Sequence, residues 1–160
     1  MSNAELFDSW QGLSDAALAT VLAQHVGRLL DEHRNTQVER GISFWQLKDS
    51  GDLLAHHFLL DAFSTLRPQD AVLSEEGRDS HNRLTNNRVW IIDPLDGTNE
   101  YGEGRADWAV HIALWEDDAL TAGAVSLPSI DTVFATDPAV VVPPKTPHTK
   151  PRLVTSRNRA

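Results

Sequence analysis

Residues 88–101 read RVWIIDPLDGTNEY. Val89, Trp90, Ile91 and Ile92 form an unbroken apolar run, long enough for a buried strand, that stops abruptly at Asp93-Pro94. Pro94 cannot donate to a sheet ladder and disfavours helix at the residue before it, so Asp93 is expected at a strand end. Asp96-Gly97-Thr98 then reads as a tight turn opening a short helix. Gly97 tolerates close backbone approach, and Thr98 offers a hydroxyl and an N–H, a combination suited to seating an anion.

Two acids three residues apart at such a turn can converge, and converging carboxylates need a cation or a shared proton. A hard divalent metal with oxygen ligands suits them, magnesium best of all. Upstream, Val72-Leu73-Ser74-Glu75-Glu76-Gly77 repeats the arrangement, a short apolar strand ending in two acids and a glycine. If the two strands share a sheet, their acidic ends can meet. The competing reading makes each acid pair a solvated strand terminus.

With those residues in view, Asp93-Pro94-Leu95-Asp96-Gly97-Thr98, preceded by Ser74-Glu75-Glu76, resembles the inositol monophosphatase superfamily of metal-dependent phosphatases. Leu95, the continuation Asn99-Glu100-Tyr101 and the run from Asp107 to Trp115 resemble its 3'(2'),5'-bisphosphate nucleotidase branch, the CysQ type. The resemblance extends from about Leu13 to the end of the chain. It implies two or more Mg²⁺ ions held by Glu75, Asp93, the Leu95 carbonyl and Asp96. It also implies a water positioned by Thr98 and Asp52, with Glu76 standing behind. The Gly97 and Thr98 amides would hold phosphate oxygens. The implied substrate is adenosine 3',5'-bisphosphate, hydrolysed to AMP, with its sulfated relative from sulfate assimilation as a second candidate. Phosphatases of the same superfamily acting on inositol 1-phosphate or fructose 1,6-bisphosphate are the alternatives, as is a non-catalytic module binding metal or phosphate.

The 160 residues suffice for one domain with a substantial core. A formal charge of −9 and the lack of a Lys/Arg cluster argue against binding long nucleic acid, but not against a small phosphorylated nucleotide. Without cysteine there is no disulfide or thiolate metal site. No run approaches the roughly 20 apolar residues of a membrane helix, and no signal segment opens the chain, so a cytoplasmic location is expected. Met1-Ser2-Asn3-Ala4 is left outside the fold reading.

Leu13 to Leu30 carries apolar residues at helical spacing, with Ser14 or Asp15 as cap, and Gly51 to Leu66 repeats the pattern up to Pro68. Asp52 is placed at the start of this second helix. The polar segment from Asn35 to Lys48 reads as a loop or edge hairpin, and Arg78 to Arg88 as a loop or short helix. Trp108 to Trp115 alternates as a central strand, and Ala119–Leu127 and Asp131–Thr136 read as two more. His25, His33, His56 and His57 are expected to be structural, and His111 to be a satisfied core or near-core histidine rather than a ligand. The predicted class is α+β, a layered α/β sandwich whose largely antiparallel or mixed sheet is flanked by two long helices. Residues 1–142 form the metal-binding domain, 143–151 a Pro-rich linker, and 152–160 the start of a truncated second domain. The resemblance implies that the second half would bring a further metal-binding aspartate and much of the nucleoside pocket. An uncovered sheet edge or face is expected to favour self-association.

Overall fold

The computed structural model describes residues 2–77, 81–144 and 150. Most of the expected linker and the whole of the expected second-domain start lie outside the described residues. Three helices come first, α1 (Asn3–Trp10), α2 (Asp15–Glu39) and α3 (Phe44–Leu66). The strands β1 (Ala71–Ser74) and β2 (Arg88–Asp96), the one-turn helix α4 (Thr98–Gly102), and β3 (Ala109–Glu116), β4 (Ala119–Leu127) and β5 (Thr132–Ala135) follow.

The five strands lie in sequence order in one mixed sheet. β1 runs parallel to β2, and every other neighbouring pair is antiparallel. β3 is central, as its apolar alternation predicts. Trp90, Ile92, Val110, Ile112, Leu114, Ala122 and Ala124 all turn to one face and are buried there against α2 and α3. Phe63 of α3 packs on Trp90, with ring centroids 4.7 Å apart. Both long helices therefore cover the same face. The other face is open, and Leu73, Ile91, Ala113, Val125 and Phe134 line a groove of about 810 Å³ along it.

Three boundaries differ from the sequence reading. Ser2 opens α1 with a reciprocal capping box to Glu5, and Phe7 plugs the helix into the core, so the first residues belong to the fold. The segment from Asn35 to Lys48 is neither loop nor hairpin: α2 continues to Glu39, and α3 already begins at Phe44. The tail of α2 projects into solvent, where an apolar stripe is unnecessary, so the helical pattern fades while the helix persists. Ser43 and Gln46 form a second capping box that starts α3 early, and Leu47 supplies the buried anchor. Asp52 therefore sits about two turns inside α3, not at its start.

The third boundary is at Asp93, which is not a strand end, because β2 continues through Pro94 to Asp96. β1 stops opposite Ile92, so past that point β2 has a ladder partner only in β3, and the missing Pro94 N–H is tolerated. Between Arg78 and Arg88 the described part is a short 3-10 turn at Asn82–Leu84.

At the far end of the sheet, Arg88 binds Asp15, Asp70 and Glu116 together, and Arg67 also holds Asp15, at 2.8 Å. Asp70 accepts from the Trp90 indole at 2.8 Å. This network ties the start of α2 to β1 and β2, opposite the end of the strands where the acids gather.

Candidate active site

The parallel register of β1 with β2 sets Ser74 beside Ile92, which brings Glu75 alongside Asp93. The Glu75 N–H donates to the Ile92 carbonyl at 3.2 Å, carrying the ladder one residue past β1. Side chains alternate across a strand, so Glu75 and Asp93 point with Leu73 and Ile91 toward the open face. The Glu75 and Asp93 carboxyl groups lie within reach of each other. Glu76 instead lies against the Asp52 carboxyl of α3. His56 braces this corner, with Nδ1 2.9 Å from the Ser74 hydroxyl.

A bulge decides where Asp96 goes. Asp93 is paired with His111, whereas Asp96 is paired with Ala109, so β2 contains one residue more than β3 over this interval. In a regular strand, residues three apart face opposite ways. The extra residue cancels that and puts Asp96 on the same face as Asp93. The Leu95 N–H donates to Asp93 Oδ1 at 3.2 Å, holding the carboxylate over the bulge. His111 Nε2 stands 3.3 Å from Asp96 Oδ2, and its side chain is half exposed. His111 is therefore not the core or near-core histidine that the sequence reading expected.

Gly97 follows with φ +84°, the left-handed region, and caps α4. A Cβ here would lie 3.0 Å from the Asp107 carbonyl oxygen and 3.2 Å from the Trp108 Cα, both backbone atoms that cannot rotate aside. Gly97→Ala is expected to cost about 2 kcal/mol or more, from left-handed strain plus the clash. Thermal unfolding of the variant checks this, and an unchanged midpoint would show that the turn can relax. α4 has only five residues, so this turn offers an anion the Gly97 and Thr98 amides rather than a helix dipole. Thr98 and Asp52 share no hydrogen bond. Asp52 is engaged with Glu76, and Lys48, the nearby cation, donates to Asn99 of α4 at 3.1 Å.

Burial pushes the Asp93 carboxyl up to about 7, helped by the adjacent Glu75 carboxyl and the charge of Asp96. Burial likewise pushes Asp52 up to about 7, with Glu76 and Glu75 adding to the rise and Lys48 opposing it. Among the described residues no three acids or histidines close into a ready metal cage. The acids stand as two close pairs, Glu75 with Asp93 and Glu76 with Asp52, with Asp96 beside the first of them. The donors are all hard oxygens gathered at one end of the sheet, with Asp93 and Asp52 penalised for ionising, and this fits a divalent cation of the magnesium class. Of the other histidines expected to be structural, His25 stacks on Phe58 and His33 Nε2 lies 2.8 Å from the Ser50 hydroxyl, whereas His57 is exposed.

Comparison with known proteins matches residues 13–138 to the Inositol monophosphatase family. A 3'-phosphoadenosine 5'-phosphate phosphatase from Mycobacterium leprae (strain TN) is 49% identical over 130 residues, covering 73% of this chain and 46% of that relative. The 3'(2'),5'-bisphosphate nucleotidase CysQ of Salmonella typhimurium is 35% identical over 86 residues, 53% of this chain and 35% of that protein. Among solved structures, inositol monophosphatase II from Staphylococcus aureus MSSA476 superposes with a TM-score of 0.65 at 24% identity, over 74% of this chain and 43% of that one, a likeness of fold. The chain thus spans less than half the length of these relatives. Among the described residues no helix is long and apolar enough to cross a membrane.

Proposed function

Because the chain belongs to the inositol monophosphatase family, we propose that it carries the cation-binding part of a phosphatase that removes the 3'-phosphate of adenosine 3',5'-bisphosphate to leave AMP. The observation that carries this reading is the meeting of Glu75 and Asp93 across two parallel strands, with the Asp93 carboxyl held near 7. Glu75, Asp93, the Leu95 carbonyl and Asp96 would hold Mg²⁺. Bound Mg²⁺ would supply the positive charge that offsets these acids and stabilises charge building on the phosphoryl oxygens. The Gly97 and Thr98 amides would orient the phosphate. Thr98 would hold the attacking water through its hydroxyl, and Asp52, with its raised pKa, would take part in handling that water's proton once Glu76 releases it.

The nucleotide as substrate is supported by the names of the relatives at 49% and 35% identity. The sulfated nucleotide and a place in sulfur assimilation belong to the same proposal, on the resemblance of the sequence motifs to the CysQ type alone. The spatial neighbour named for inositol monophosphate chemistry shares only the fold at 24% identity, so inositol 1-phosphate ranks second. The test measures Mg²⁺-dependent phosphate release from adenosine 3',5'-bisphosphate, inositol 1-phosphate and fructose 1,6-bisphosphate. It uses the 160-residue chain and a version extended to the length of its relatives. The extended protein is expected to favour the nucleotide at least tenfold and the 160-residue chain to turn over weakly. Equal or greater turnover of inositol 1-phosphate would reverse the ranking.

A further inference from the structure

The bulge in β2 places a third group beside the acids, one outside the ligand set named above. Asp96 returns to the open face opposite Ala109, two residues from His111, and its Oδ2 lies 3.3 Å from His111 Nε2. His111 is anchored by its backbone, paired with Asp93 on one side and Val125 on the other, in the central strand of the sheet. Asp96 has no such anchoring for its side chain, which is 59% exposed. A short carboxylate on a bulged, solvent-facing segment samples several rotamers, and a ligand held in one orientation binds a cation more tightly than one that must be ordered first.

We propose that His111 is a positioning residue for Asp96: its Nε2–H donates to one carboxylate oxygen and leaves the other turned toward the cation shared with Asp93. This rests on the cation-binding reading above. His111 touches neither the cation nor the phosphate in this role. Its contribution is the orientation of a ligand, carried from the rigid centre of the sheet to its irregular edge.

The experiment titrates the 160-residue chain with Mn²⁺, a spectroscopic stand-in for Mg²⁺, and reads bound metal by electron paramagnetic resonance. His111→Ala is expected to weaken Mn²⁺ binding about tenfold. His111→Gln, which keeps an N–H at similar reach, should recover most of the loss. In the Asp96→Asn background, His111→Ala should add almost nothing, since the group it orients has gone. A merely structural histidine would give additive losses. If the alanine variant loses cooperative unfolding, His111→Leu, apolar and suited to a strand, takes its place. Equal or tighter Mn²⁺ binding without His111 overturns the proposal while leaving the cation site standing. If the unmodified chain binds no Mn²⁺ at millimolar concentration, the cation reading falls and the role of His111 falls with it.

Discussion

Asp93→Asn is expected to abolish divalent-cation binding and, in cation-free buffer at pH 8, to raise the thermal midpoint of the chain. Folding raises the Asp93 pKa from 3.8 to about 7, so the folded state disfavours the ionised form. The resulting destabilisation is absent below about pH 4, grows as pH rises, and is complete above about 7. Asparagine removes the charge and keeps the shape. After allowance for solvent screening of a half-buried group, the gain is about 1–2 kcal/mol, a shift of several degrees in a chain of this size. The gain should vanish at pH 4. Magnesium should reverse the order at pH 8, because a ligand that binds only the folded state stabilises the parent and not the variant. Scanning calorimetry of both proteins with and without Mg²⁺ reads all of this. A lower midpoint for the variant in cation-free buffer, or equal stabilisation of both by Mg²⁺, would remove the acid cluster from consideration as a cation site.

The second large effect lies at the opposite end of the sheet. Arg88→Ala is expected to destabilise the fold by about 3 kcal/mol, because it leaves a nearly buried carboxylate without its cation. The Asp70 side chain is only 6% exposed and would keep the Trp90 indole as its remaining partner from this network. Arg88→Lys should cost less, since the charge stays while the fork that reaches Asp15, Asp70 and Glu116 at once is lost.

The pH dependence has a definite sign. Burial alone would raise the Asp15 carboxyl, but hydrogen bonds and charge from Arg88 and Arg67 overcome it and hold the group below its ordinary range. The stability this gives is present above the unfolded value of 3.8 and is lost as pH falls through the folded one. The difference between parent and Arg88→Ala should therefore be large at neutral pH and shrink in acid. Urea unfolding at pH 7 and at pH 3 measures both values. A difference that persists undiminished at pH 3 would assign Arg88 a packing role instead of an ionic one.

Asp93 and Arg88 illustrate what can be read from the chain before its fold is known. Val89 to Ile92 announce a buried strand by composition, and Asp93-Pro94-Leu95-Asp96-Gly97-Thr98 announces an acid-rich turn with a glycine where only a left-handed residue fits. The apolar periods of α2, α3 and β3 were equally plain, because each of these elements turns a continuous stripe or face to the core. The N-terminal end of α3 was hidden. Its first turns carry few buried anchors, and the signal that starts them is the Ser43–Gln46 capping box rather than hydrophobic period. That box was legible as a serine three residues before a glutamine, next to an apolar pair, and it would have placed Asp52 inside the helix.

The amino-acid order alone singled out the acids and the turn glycine as candidates, the strand-and-acid motifs that mark the family, and the mixed helix and strand character of the domain, because each is written in local composition and spacing. Only the tertiary structure decided that β1 pairs parallel with β2 so that Glu75 meets Asp93, that one surplus residue in β2 turns Asp96 to the same face, and that His111 stands beside it. Those outcomes depend on pairing register between segments far apart in the chain. A shift of one residue would send every side chain to the other face, and the choice is made by the burial of one whole face of the sheet against α2 and α3.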